Sequence, residues 1–154
     1  MTTVLDTVPN TVRFTAASWL QRLVPELVAL TLHAKQAHWN VTGPTFLPIH
    51  ELTDEIAADS RMWTDRVAER ALALGFAVDA RAETVASIAR DFPAGRLTDR
   101  EVIGELTASI DRAVATARRS LPDLETMDAV AHDIIVEVLE GLEKYRWMLQ
   151  AHKS

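Results

Sequence analysis

The chain contains no cysteine, which removes disulfides and thiolate metal sites together and fits a cytoplasmic location. It has no apolar run of about eighteen residues or more, so no membrane span is expected. The opening stretch, MTTVLDTVPN, lacks a basic region followed by an apolar block and does not read as a secretory signal. Positive charge is in deficit: 16 Lys and Arg against 22 Asp and Glu leave a net charge of −6 at pH 7. That balance argues against a body that binds nucleic acid through general basicity, while an acidic surface can concentrate cations. Internal repeats, low-complexity segments and a credible strand pattern are missing as well. What remains is 154 residues, 48% apolar and 25% charged, an ordinary composition for one domain with a real core.

The apolar positions recur with helical spacing. Leu20, Leu23, Leu27, Leu30, Ala34 and Ala37 predict an amphipathic helix over residues 12–40, after a short loose arm over residues 1–12. Gly43-Pro44 ends it, and Pro44 or Thr45 opens a second helix that runs to Leu74 with Gly75 as its stop. The core stripe of this second helix is Ile49, Leu52, Ile56, Trp63, Val67 and Leu74. A long connection follows, with a short helix expected over residues 83–90 and a break at residues 92–95. Thr98-Asp99-Arg100-Glu101 has the capping-box pattern and opens a third helix to Leu121, where Pro122 is expected to interrupt it. A fourth helix is expected over residues 126–152. Short first and last connections make their neighbours antiparallel, and the long middle one crosses the bundle. The fold class is therefore all-α: a four-helix bundle with one long crossover that carries a short extra helix.

The chemistry is concentrated in residues 33–75. His38, His50, Asp54, Asp65 and Glu69 are two imidazoles and three carboxylates, a set that suits iron, manganese or zinc. His50 and Asp54 are four apart, as are Asp65 and Glu69, so each pair shares a helix face. Eleven residues separate the pairs, roughly 16 Å along the axis, too far for one ion to be held by both. All four fall opposite the core stripe and face out of their own bundle. The two pairs are, however, symmetric about a point between Asp59 and Ser60. An antiparallel copy of the helix, related by a two-fold axis there, sets His50 against Glu69 and Asp54 against Asp65 of its mate. It also sets Leu47 against Leu72 and Ala58 against Arg61, and it creates two equivalent sites. His38, near the Gly43 turn, can complete each. Metal sites inside such bundles use Glu-x-x-His motifs, and this chain has none. His33, His132 and His152 read as structural.

These residues lie in a pattern with a known look. KQAHWNVTG at Lys35 to Gly43, then Phe46, His50, Glu51 and Asp54, then Asp65, Ala68, Glu69, Arg70, Leu74 and Gly75 resemble the signature of the Dps miniferritins, ferritin-like proteins that protect DNA in starvation. LEKYRWML (142–149) resembles the family's last helix. The resemblance implies a hollow dodecamer of two-fold dimers that oxidises ferrous iron, preferably with hydrogen peroxide, oxygen being the other oxidant, and stores ferric mineral inside. It implies that His38, His50 and Asp54 of one subunit meet Asp65 and Glu69 of the mate, with up to two irons per site. It gives Trp39 a place beside the centre, where it can intercept radicals, and Lys35 a salt bridge at the interface. The family's acidic pores match Asp133, with Asp128 and Glu137 near enough to contribute where Val130 replaces a second acid.

DNA binding does not come along automatically. Family members that bind DNA usually do so through a basic terminal extension, and the first twelve residues here hold no Lys or Arg. Magnesium bridging or surface arginines such as Arg118 and Arg119 remain as routes. Two rival readings stand beside the ferroxidase: a DNA-compacting or structural assembly with a vestigial or zinc-binding site, and a dimeric di-metal oxidase of an organic substrate.

Overall fold

The structure is a computed structural model that describes residues 7–152. Its elements in order are α1 (Asn10–Asn40), β1 (Val41–Thr42), α2 (Phe46–Ala73), α3 (Ala82–Ile88), β2 (Leu97–Thr98), α4 (Asp99–Met127) and α5 (Ala129–Ala151). The four long helices and the short crossover helix are those the periodicity predicts. The arm is shorter than expected, because α1 begins at Asn10; residues 1–6 lie outside the described residues. No helix among the described residues is long and apolar enough to cross a membrane.

Side-chain bonds fix how the helices run. His38–His50 and Arg13–Leu74 link α1 to α2 in antiparallel order. Trp19–Asp123 and His33–Ser109 do the same for α1 and α4, and Arg118–Glu143 with Arg146–Asp111 for α4 and α5. Hence α2 and α4 run parallel, as a single crossover requires. The predicted stripe is fully in the core: Ile49, Ile56 and Val67 have no exposed surface, and Leu52, Trp63 and Leu74 are buried with them. At about 1.5–3 kcal/mol for each such side chain, this core outweighs the exposed ion pairs around it, each worth roughly 0–1 kcal/mol. Gly141 on α5 lets α2 come close. A Cβ there would lie 2.1 Å from the Trp63 ring.

Three expectations are corrected. Pro122 does not interrupt the third helix, which continues to Met127. Proline removes one backbone bond and crowds the carbonyl four residues back, but the turn beyond it is anchored. Leu124 is wholly buried, the Trp19 indole N–H donates to Asp123 at 2.7 Å, and the Asp128 N–H closes onto the Leu124 carbonyl. The fourth helix accordingly begins later than expected, at Ala129, with only Asp128 extended between the two helices; its side chain accepts the Ala131 N–H. Finally, two short strands exist. Val41 pairs with Leu97 and Thr42 with Thr98 in parallel. Val and Thr favour extended backbone, and Thr98 is already extended as the N-cap of α4, whose capping box is formed as the sequence predicts.

Candidate metal centre

The turn between α1 and α2 brings two histidines face to face. Gly43 takes φ +128, a region open to glycine and costly for other residues. The space where its Cβ would stand is filled by the Asp99 carboxylate, 2.8 Å away. That carboxylate accepts the Thr45 backbone N–H at 3.0 Å and the Thr45 hydroxyl at 2.6 Å. These bonds, led by the hydroxyl, hold the Asp99 carboxyl below its ordinary range. The first turn of α2 is thus capped from α4, while the strand pair fixes the other side of the same turn.

On this support the rings of His38 and His50 stack, centroids 3.7 Å apart and planes 19° from parallel. Each Nδ1 lies 2.8 Å from the backbone carbonyl of the other residue. A carbonyl can only accept, so each Nδ1 carries a proton, and the neutral ring then has its lone pair on Nε2. This is the tautomer a metal-binding imidazole needs, set by the kind of outer contact that orients such ligands. Phe46 stacks on His50 at 5.1 Å. That contact was not read from the sequence, although Phe46 and His50 stand one helical turn apart.

Asp54 stands one turn beyond His50. Lys35 donates to it at 2.5 Å, and that bond, reinforced by the Lys35 charge, holds its carboxyl below the ordinary range. The Lys35 salt bridge is therefore made within the chain. The Lys35 ammonium also lies 5.4 Å above the Trp39 ring, which is 69% exposed. His38, His50 and Asp54 line one groove of about 550 Å³ together with Leu47, Glu51, Glu55 and Ala58. Glu51 and Glu55 are additions to the predicted set.

Asp65 and Glu69 are exposed on the same helix but outside this groove. Among the described residues no three His, Asp or Glu side chains of one chain close into a metal cluster. Within one chain the two carboxylates stay apart from the histidine groove, and Leu47 and Leu72 are 58% and 54% exposed.

The other predicted residues fall elsewhere. Asp128 is spent on structure: its side chain is 7% exposed, one oxygen capping α5 and the other taking Arg70 at 2.7 Å. Glu137 is paired with Arg66, and the hydrogen bond from that guanidinium pulls its carboxyl below the ordinary range. Asp133 is the open one, its side chain 88% exposed. Arg118 is paired with Glu143. His33 is structural as expected, buried between Ser109 and Phe92.

Comparison with known proteins agrees with this architecture. Residues 18–154 match the family model described as Ferritin-like domain. The DNA protection during starvation protein 2 of Deinococcus radiodurans is 35% identical over 134 residues, 86% of this chain but only 56% of that relative's length. The DNA protection during starvation protein of Mycolicibacterium smegmatis is 30% identical over 141 residues, 88% of this chain and 75% of the relative. Among solved structures, Dps from Microbacterium arborescens in its high iron form superposes with a TM-score of 0.88 at 36% identity, covering 92% of this chain and 93% of that one. Crossover bundle, histidine turn and relatives lead to one conclusion: the chain belongs to the ferritin-like family, and within it to the Dps miniferritins.

Proposed function

We propose that the chain, acting as one ferritin-like unit, is a ferroxidase whose sites form between subunits. In this reading ferrous iron is the substrate, hydrogen peroxide the preferred oxidant, and ferric mineral is stored in a dodecamer, sparing the cell and its DNA from oxidative damage. The observation that carries it is the pair of reciprocal His38 and His50 bonds, which in the neutral rings leave two Nε2 lone pairs beside Asp54 on the wall of an open groove. The two-fold placement of Asp65 and Glu69 against them supplies the missing carboxylates. The high iron form of the Microbacterium relative supports iron as the substrate.

Each residue has a separate task. The two imidazoles bind ferrous ions as neutral donors, and the carboxylates offset the charge that grows as iron is oxidised. Asp54 must leave Lys35 to do so, which frees the ammonium for an acceptor on the mate. Five side chains shared by up to two ions leave positions open for oxidant and water. Two ferrous ions give peroxide both electrons it needs, and with two waters the products are two ferric oxyhydroxide units and four protons. Asp133 is the acid best placed to draw ferrous ions toward an assembly pore. DNA binding is not part of the proposal, since Arg118 is neutralised by Glu143.

The test is anaerobic ferrous loading followed by peroxide, with ferric absorbance and particle mass tracked together. Wild type should yield mineral-filled particles near twelve subunits. Asp65→Ala with Glu69→Ala should abolish peroxide-driven oxidation in an assembly that remains intact. Unchanged oxidation in that double variant would sink the proposal.

A further inference from the structure

Tyr145 is the only tyrosine in the chain, and it packs on α2, the helix that carries His50 and Asp54. It is buried, and its hydroxyl donates to Asp59 Oδ2 at 2.6 Å. Trp63, also buried, stands beside it with ring centroids 6.2 Å apart. Asp59 lies five residues past Asp54, about 7.5 Å along α2. Glu55, whose charge acts on the phenol, also lines the groove that holds His38, His50 and Asp54.

A hydrogen bond to a backbone carbonyl would tie α5 to α2 equally well. A carboxylate does something more, because it is a proton acceptor already in place. Burial and then the Asp59 bond and the Asp59 and Glu55 charges push the phenol pKa up, so the ring keeps its proton. The same negative surroundings favour a ring that has lost an electron. Lys144 works against this from 5.7 Å above the ring, but it is solvent-exposed and screened. Trp39 is placed the other way: exposed, under the half-buried Lys35 ammonium, and with no carboxylate acceptor among the described residues.

We infer that Tyr145 is an electron donor to the centre, with Asp59 as its proton acceptor, serving when peroxide arrives and only one ferrous ion is bound. The inference rests on the ferroxidase reading. In this step the ferrous ion gives one electron and Tyr145 the other. Peroxide takes both, with two protons from solvent, and becomes two waters. The phenol proton moves along the hydrogen bond to Asp59 Oδ2, leaving a ferric ion, a neutral tyrosyl radical and protonated Asp59. When two ferrous ions are present, iron supplies both electrons and Tyr145 stays reduced. A lone ferrous ion thus no longer releases hydroxyl radical.

With a single tyrosine, any tyrosyl signal has one possible source within the chain. Assembled protein is mixed with ferrous iron at less than one ion per site and excess peroxide, frozen, and examined by electron paramagnetic resonance. Ferric absorbance and particle mass are read on the same samples. The expected result is a tyrosyl signal that disappears when iron is in excess, is lost in Tyr145→Phe, and falls several-fold in Asp59→Asn, where the acceptor is gone. Ferric absorbance without a tyrosyl signal in wild type, or a full signal in Asp59→Asn, overturns the inference and leaves the ferroxidase reading standing. Absence of ferric absorbance overturns that reading and the inference with it. If either variant fails to assemble, the dependence of the wild-type signal on the iron-to-peroxide ratio decides alone.

Discussion

His33 lies between Ser109 and Phe92, and burial, followed by the Arg112 and Arg90 charges, pulls its pKa below the ordinary histidine value. In the unfolded chain the same imidazole takes up a proton near about 6.5. The unfolded state therefore binds more protons below that pH, and stability from this residue is present above it and lost as pH falls. The thermal midpoint should drop between about pH 7 and pH 5, and His33→Gln should flatten that drop in calorimetry. A midpoint equally steep in the variant would assign the loss to other groups. At this scale the sequence was informative about chemical type and less so about state. The spacing of His50 and Asp54 was enough to place them on one face of α2, and the Gly43 turn set His38 near them. The tautomer of the two rings was not legible, because it depends on carbonyls twelve residues away in the chain. Nor was the Lys35 hold on Asp54, which needs two helices in register.

Helices were the legible elements, because a period near 3.6 repeated over many turns survives local exceptions. Pro122 was such an exception. Pro122 is exposed and its turn is held by Leu124 and Asp123, so tertiary contacts override a strong local breaker. The cost should still be there to recover. Pro122→Ala should stabilise the chain by about 2 kcal/mol, less than the full interior-helix difference because alanine also frees the unfolded chain. Chemical denaturation gives the value directly, and a loss of stability would show that the proline shapes the α4–α5 junction. The strands escaped for the opposite reason: two residues are too short to show any alternation. They matter through position, since Leu97 and Asp99 approach the α1–α2 turn from the far end of the crossover.

For the whole molecule, the proposed function makes the candidate centre a property of the pair rather than the chain. One chain presents two imidazoles and a carboxylate in a groove, with two further carboxylates stranded on the same helix. Ala58, exposed beside the symmetry point, is the residue where both roles meet. In the proposed two-fold pairing, Ala58→Arg would set its guanidinium against Arg61 of the mate in a closing interface, at a cost of several kcal/mol. Native mass measurement should show dissociated chains, with ferric formation lost to the same extent; an intact assembly would mean that α2 does not pack on its copy. The turn that positions His38 and His50 has a further consequence, in the order of synthesis. All five candidate ligands precede Leu97 and Asp99 in the chain. A half-made polypeptide leaving the ribosome therefore holds every candidate ligand but lacks the strut that sets two of them, and the proposed iron chemistry would wait for the second half to arrive.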